Sequence, residues 1–425
     1  MATWLIDSGT LTDIADAIRA KTGSAATIQV SDLATEIANL PSGGTTINGA
    51  TNINVIASEA LDAGDRIKIE VGNRLASPPS TTKSVKSIDI NGTETSCAVG
   101  LSQSPYIAIY DMGTSPWTKL NNPGTTPAGA ANNIKFSPDG SKCAVAHNTS
   151  PYITVYDTTT NPWTKLTDAN DLPGGNAYGV AWNNTGDNLT VCCNSSPYFI
   201  TYDTTTTPFT KKSNPANLPS STCYSVAYNS AGTRLAVGSS NTLFLYDATT
   251  SPYTRLSTKT TSNQIYSLKF YDNDSKILAQ LYNMPYLKIY SATTLNEETI
   301  TIDISMENNV DSYNGTVINK TGDKIFYGTS NYNNFAACLY NISGTTLSYI
   351  LPFNYLGNVY AAAFFDNDSK IIIGIGSAPY LYIYDLTNFS ASKFGSETCN
   401  VRNGYGYTKE NIASGATGQA SLLFR

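Results

Sequence analysis

The sequence predicts an all-β protein, a seven-bladed β-propeller, on three observations. A phrase ending in Tyr-Asp recurs down the chain: SPYIAIYD at residues 104–111, SPYITVYD at 150–157 and SPYFITYD at 196–203, with degenerate copies ending at Asp247, Ser291, Asn341 and Asp385. The anchoring tyrosines, Tyr110, Tyr156, Tyr202, Tyr246, Tyr290, Tyr340 and Tyr384, lie 44 to 50 residues apart, a period that marks a repeat architecture. A tight turn recurs in all seven units: NGT at Asn91, PDG at Pro138, TGD at Thr185, AGT at Ala231, DNDS at Asp272, TGD at Thr321 and DNDS at Asp366. Such residues take positive φ cheaply and belong at hairpin tips.

Each unit reads as four short strands. In the second, these are residues 133–136, 142–146, 152–156 and 163–166, with the hairpin turn at 137–140. The third alternates with period two: Ile153 and Val155 on one face, Tyr152, Thr154 and Tyr156 on the other. One such unit cannot bury both of its faces, whereas a closed ring of them can. With Tyr-Asp at the end of the third strand and FSPDG at the first turn (136–140), the units resemble WD-repeat propellers. The Gly-His dipeptide of that family is missing. The resemblance therefore implies a WD-like fold and none of the family's partners.

The 425 residues suffice for a large core and accessories. Charged residues are only 14%, the net charge is −6 and no basic tract occurs, which argues against nucleic acid and anionic membranes as partners. No apolar run is long enough for a membrane span, and the first residues lack the pattern of a secretory signal. The seven cysteines, Cys97, Cys143, Cys192, Cys193, Cys223, Cys338 and Cys399, include no C-x-x-C pair, so buried free thiols in a reducing compartment are expected.

Both ends change character. Leu11, Ile14, Ala15 and Ile18 form a helical stripe, with Thr10 as cap and Gly23 as stop. A second short helix runs from Ser31 through Leu33, Ile37 and Leu40 to Pro41. So short a piece needs a surface to dock on. The expected organisation is a helical attachment segment at 1–45, a small β module at 46–83, the propeller at 84–400 and a C-terminal β segment at 401–425 that pairs with 53–75. Two unrelated hairpins are the alternative for that last pairing.

The phrases IADAIRAKTG at 14–23 and IQVSDL at 28–33 resemble the N-terminal segment of many tail and minor structural proteins of phages infecting Firmicutes. Val30 stands where that segment often has proline. The resemblance covers about a tenth of the chain. It implies a virion tail location after synthesis in the bacterial cytoplasm, and other tail or baseplate proteins as partners. Leu11, Ile14, Ile18, Leu33 and Ile37 would make that attachment. A homo-oligomer is expected, with a trimer suggested by the commonness of trimeric tail fibres.

No catalytic signature stands out. His147 is the single histidine, and Cys143 is too far along an extended strand to act with it. Phosphate loops and metalloprotease helices are absent. Asp168, Asp171, Glu307 and Asp311 could converge as glycosidase carboxylates, though nothing singles them out. The DNDS turns have too few ligands for an EF-hand-like calcium site. No cofactor and no metal is expected. Binding is expected on the ring face that carries the loops between second and third strands and the connections between blades. Its candidate residues are Tyr106, Tyr152, Tyr198, Tyr286, Tyr380, Asp168, Asp171, Tyr178, Asn308 and Tyr313. Tyrosine beside Asn and Ser offers amphipathic contact with adaptable hydrogen bonds. The competing reading packs the Pro-Tyr tyrosines between blades, on the same side as the Tyr-Asp tyrosines. Trp117, Trp163, Phe209 and Tyr253 are expected as blade packing.

Three functions fit this reading. The first is a non-enzymatic tail-fibre, tip or baseplate protein whose propeller binds a bacterial surface receptor, a glycan or a surface protein. The second is a structural or decoration protein that binds only other virion proteins. The third is a polysaccharide-degrading propeller enzyme.

Overall fold

The computed structural model describes residues 50–57, 66–70, 74–283, 286–302, 315–328, 337–353, 358–387, 389–393, 405–408 and 417–423. The chain divides into two compact units, Met1–Thr51 and Asn52–Arg425. The helices expected within 1–45 lie outside the described residues, as do Leu11, Ile14, Ile18, Leu33 and Ile37.

Seven sheets make up the propeller, six of them antiparallel; the sixth carries five strands, with Thr301–Ile302 running parallel to Thr346–Phe353. In the second blade the strands are Ala131–Phe136, Lys142–His147, Ile153–Asp157 and Thr164–Lys165, paired in that order. The two middle strands are buried along almost their whole length, because each blade is covered on both faces by its neighbours. That is why they read as apolar runs and small residues, while the outer strand is two exposed or half-buried residues. The cores lie between blades. Ala144, Ala146, Ile153 and Val155 of the second blade pack on Val180, Leu189, Val191 and Ile200 of the third. Trp117, Trp163, Phe209 and Tyr253 are all buried, at 4–7% exposure, and pack within these seams as expected.

The Tyr-Asp dipeptide has a separate task for each residue. Tyr110, Tyr156, Tyr202 and Tyr246 are fully buried, and their hydroxyls donate to the carbonyls of Pro79, Thr125, Asp171 and Asn217, at 2.7, 3.0, 2.7 and 2.9 Å. Each tyrosine thus holds the connection that precedes its own blade. The following aspartate builds the outer hairpin: Asp157 accepts the amide and the hydroxyl of Thr159, and Asp203 and Asp247 do the same with Thr205 and Thr249. Those bonds hold the carboxyls below their usual range.

The ring closes on itself with the chain's earlier segment. The seventh blade has three consecutive strands, Val359–Phe365, Lys370–Ile375 and Leu381–Asp385. Arg74 bridges Tyr384 and the Leu75 amide donates to Ile383 at 2.9 Å, so residues before the first blade border the last one. The seam is tight. A Cβ on Gly374 would sit 2.3 Å from Val85 Cγ1, and Trp117 meets Phe365 edge-on at 5.2 Å. Phe389–Lys393, inside the span expected as propeller, pairs instead with Ala50–Ala57 and Arg66–Glu70. Together with Tyr405–Thr408 and Thr417–Leu423 these strands form a closed five-stranded barrel. Arg66–Glu70 also pairs with Tyr405–Thr408.

Cys97, Cys143, Cys192, Cys193 and Cys223 are buried free thiols and Cys338 is half-buried; Cys399 lies outside the described residues. Burial pushes the buried thiols of Cys97, Cys143 and Cys192 well up.

Candidate binding face

The start of each first strand pairs with the end of the second. This brings the inter-blade connection and the turn after the second strand to one end of the ring. In six blades the backbone ties them directly: the amides of Ser102, Asn194, Ser240, Tyr282, Gly328 and Gly376 donate to the carbonyls of Ser84, Asn176, Thr222, Gln264, Gly315 and Asn358.

The Ser-Pro-Tyr turns share one geometry. Ser104-Pro105, Ser150-Pro151, Ser196-Pro197 and Ala378-Pro379 are cis, and the next residues, Tyr106, Tyr152, Tyr198 and Tyr380, have φ of 65–70°. The tyrosine amide closes each turn, as Tyr152 N does onto Thr149 O at 2.7 Å. The positive φ changes which seam the ring occupies. Strand alternation groups Tyr152 with Tyr156, yet Tyr152 packs with Ile153 and Val155 against the third blade, while Tyr156 faces the first. Tyr198 and Tyr380 likewise lie half-buried against the next seam, and Tyr286 is buried at 6% exposure. Tyr106 is half-buried.

A second set of side chains lies nearer the ring axis. In six blades the first strand carries a bulge at the same place, between Val85 and Ser87, Ala131 and Asn133, Ala177 and Gly179, Cys223 and Ser225, Ile265 and Ser267, and Val359 and Ala361. The extra residues are Lys86, Asn132, Tyr178, Tyr224, Tyr266 and Tyr360. A bulge re-aims a side chain and leaves its residue out of the ladder. Three consecutive blades therefore line up tyrosines: Tyr178 and Tyr224 have ring centroids 5.2 Å apart, and Tyr224 and Tyr266 5.6 Å. Tyr282, from the turn of the fifth blade, extends the arc at 5.4 Å from Tyr266. Elsewhere at the same level Lys86 Nζ sits 5.5 Å over the Tyr360 ring, and burial lowers the pKa of its ammonium. Of these, sequence reasoning had named Tyr178. The signal for the others was a tyrosine followed by a small residue at the start of the first strand: AYG, CYS, IYS and VYA.

Deeper along the first strands, Lys135 pairs with Asp89 of the neighbouring blade. Lys269 occupies the same register in the fifth blade. Burial, reinforced by the charge of Lys135, pulls its ammonium down to about 8.

The remaining candidates have local roles. Asp168 pairs with Lys165 at 2.9 Å, and Asp171 offers its carbonyl to Tyr202. The crevice beside Asp168, lined by Ala169, Leu189 and Phe209, has a volume of about 10 Å³, room for about one water. Asn308, Tyr313, Glu307 and Asp311 lie outside the described residues. His147 is fully buried with Nε2 2.9 Å from Thr154 Oγ1, and burial lowers its pKa to about 4. Among the described residues, no group of three or more His, Cys, Asp or Glu side chains could hold a metal.

The opposite end of the ring uses its polar groups internally. Asp274 of one DNDS turn accepts the amide and hydroxyl of Ser230, at 3.0 and 2.6 Å, in the preceding blade. Asp368 of the other takes the amides of Lys320 and Thr321, both at 3.0 Å. Glu94 accepts from the Asp366 amide at 2.7 Å across the closing seam.

No protein-family model matches the sequence, and no curated protein matches it. Solved structures do. The β-propeller domain of Cps50 (Swd1) from Myceliophteria thermophila is 13% identical with a TM-score of 0.57, over 74% of this chain and 99% of that one. A chain of a mitotic checkpoint complex is 16% identical with the same TM-score of 0.57, over 74% of this chain and 94% of that one. At such identities the likeness establishes the fold: the chain is a seven-bladed β-propeller with WD-repeat-like structural neighbours.

Proposed function

We propose that this protein is a non-enzymatic tail protein of a Firmicutes phage, a tail-fibre, tip or baseplate component whose propeller binds a receptor on the bacterial surface. Its N-terminal segment attaches it to other tail or baseplate proteins, and the assembly is a homo-oligomer, a trimer by preference. The tail reading rests on the resemblance at 14–23 and 28–33. The binding reading rests on one observation: the turn end of the ring presents tyrosines from consecutive blades beside Asn, Ser and Thr. Several copies acting together would multiply modest single-site affinity.

The structural-protein alternative calls for a large apolar patch. Among the described residues the exposed large hydrophobics are Leu172, Leu256 and Tyr282, at 37–47% exposure and scattered along the sequence, which is ordinary for a free surface. The enzyme alternative calls for converging carboxylates, and Asp168 is engaged by Lys165 beside a crevice too small for a sugar.

The test is direct. Fluorescently labelled full-length protein is incubated with a panel of Firmicutes strains, washed and counted. Saturable, strain-selective binding is expected. Uniform failure across the panel, even for the multimeric protein, would return the structural reading.

A further inference from the structure

We propose that Tyr178, Tyr224, Tyr266 and Tyr282 form a stepped stacking surface for a linear glycan at the axis of the turn end. The inference rests on the receptor-binding reading and specifies its site and ligand class.

Three observations carry it. The first is the delivery of the rings. Tyr178, Tyr224 and Tyr266 each occupy the bulged position, so their placement follows from a backbone feature repeated blade after blade. A residue needed only to fill a seam could remain in the ladder, as the buried Ala177, Cys223 and Ile265 beside them do.

The second is spacing and tilt. Successive centroids are 5.2, 5.6 and 5.4 Å apart, with planes inclined by 52°, 64° and 54°. The interval is comparable to the advance of one pyranose along a polysaccharide chain. The inclination sets each ring tilted or edge-on to the next, so the arc is stepped rather than flat, with Tyr178, Tyr224 and Tyr282 its more exposed members. Sugar C–H faces are apolar and slightly positive, and they complement the electron-rich face of a phenol ring as other positive groups do.

The third is the polar rim. Gln264 accepts the Tyr266 hydroxyl at 3.0 Å, and Asn283 and Asn263 meet at 3.2 Å beside the Tyr282 turn. Tyr282 is 37% exposed, Tyr178 and Tyr224 are half-buried, and Tyr266 at 8% braces the arc between them. Amides and hydroxyls around half-exposed rings suit a ligand whose edge is all hydroxyls and whose faces are apolar.

The experiment uses full-length protein and the variants Tyr224→Ala, Tyr282→Ala, Tyr224→Phe and, on the exposed outer strand of the fourth blade, Leu256→Ala, each checked for an unchanged thermal transition. Two readouts run side by side: binding to the strain panel, and calorimetric titration with linear hexasaccharides of β1,4-glucose, β1,4-N-acetylglucosamine and α1,4-glucose. The expected result is binding to at least one hexasaccharide, which also competes with cells. Tyr224→Ala and Tyr282→Ala should each weaken it about tenfold, equivalent to ~1.4 kcal/mol. Tyr224→Phe and Leu256→Ala should change it less than about twofold, a difference too small to count as a lost ring. Should Tyr282→Ala lower the thermal transition, Tyr224→Ala compared with Tyr224→Phe still separates a lost ring from a lost fold. Cell binding that survives both arc alanines overturns the arc and leaves the receptor reading standing. Hexasaccharide binding without any cell binding supports the arc and overturns the receptor reading. Binding to neither overturns both.

Discussion

The two ends of the propeller are built from the same repeat and join their blades with different chemistry. At the hairpin end, carboxylates reach back to the preceding blade: Asp274 to Ser230, Asp368 to Lys320 and Thr321, Glu94 to the Asp366 amide. At the turn end, backbone bonds in six blades tie the connection to the turn of its own blade, the Asn132 side-chain amide and the Ser225 hydroxyl donate to the Ala177 and Ile265 carbonyls of the next blade, and the rings of neighbouring blades meet one another. Carboxylates on backbone amides join blades at one end; amides, hydroxyls and tyrosine rings join them at the other, where the loops are also tied down. A repeat can thus place different inter-blade chemistry at its two ends, because every strand in a blade has one terminus at each end.

Substitutions at the two ends should therefore separate stability from binding. The largest loss is expected at the hairpin end. Asp368→Ala removes acceptors for two amides and should cost about 2 kcal/mol in urea unfolding, while cell binding by the folded protein stays unchanged. A binding defect at unchanged stability would break the division.

Lys269 probes the axis between the two ends. Its folded pKa of about 8 lies below the ordinary 10.5, so the folded state resists protonating it. The cost is full below pH 8 and fades as pH rises toward 10.5. Lys269→Met should stabilise the ring at pH 7 by roughly 2 kcal/mol after allowance for partial solvation. The gain should shrink above pH 8 in a pH series of melting curves.

At the turn end, His147 sets an acid limit. Its pKa falls from 6.5 to about 4 in the folded protein, so the unfolded chain binds the extra proton first. Stability should decline as pH falls from 6.5 to 4, by up to about 2 kcal/mol from this residue. His147→Gln, which can still bond Thr154, should flatten that segment of the stability profile.

The smallest effect is the finest test of how loops are held. Tyr156→Phe loses the bond to Thr125 and should cost about 1 kcal/mol. Tyr290 is equally buried, but its hydroxyl has no partner. Tyr290→Phe should therefore leave stability unchanged or raise it slightly. Equal costs in the two variants would show that burial of the ring, not the hydroxyl, is what these tyrosines contribute.

Much of the fold was legible because the repeat writes it seven times. Buried middle strands demand apolar residues, and hairpin tips demand Gly, Asn or Asp, so both leave a pattern at fixed intervals. The Pro-Tyr tyrosines are legible as a motif, but where they pack, alternation puts them on the side of the Tyr-Asp tyrosines and Tyr152 takes the other seam. Alternation assumes an extended backbone, and the positive φ at Tyr152 breaks it. The DNDS turns were read as ordinary hairpins, and their cross-blade bonds could not be seen, since Asp368 and Lys320 belong to different repeats.

By itself, then, the sequence determined the blade count, the strand order within a blade and the identity of the seam aromatics, because those depend on local propensity and on burial that every copy shares. Only the tertiary structure decided three things. Arg74 and Leu75 border the seventh blade, Phe389–Lys393 joins the barrel, and the bulged tyrosines of three blades meet in one arc. Each of these joins segments distant in sequence, and it is closure of the ring and pairing of strand edges, neither of which leaves a local periodicity, that brings them together.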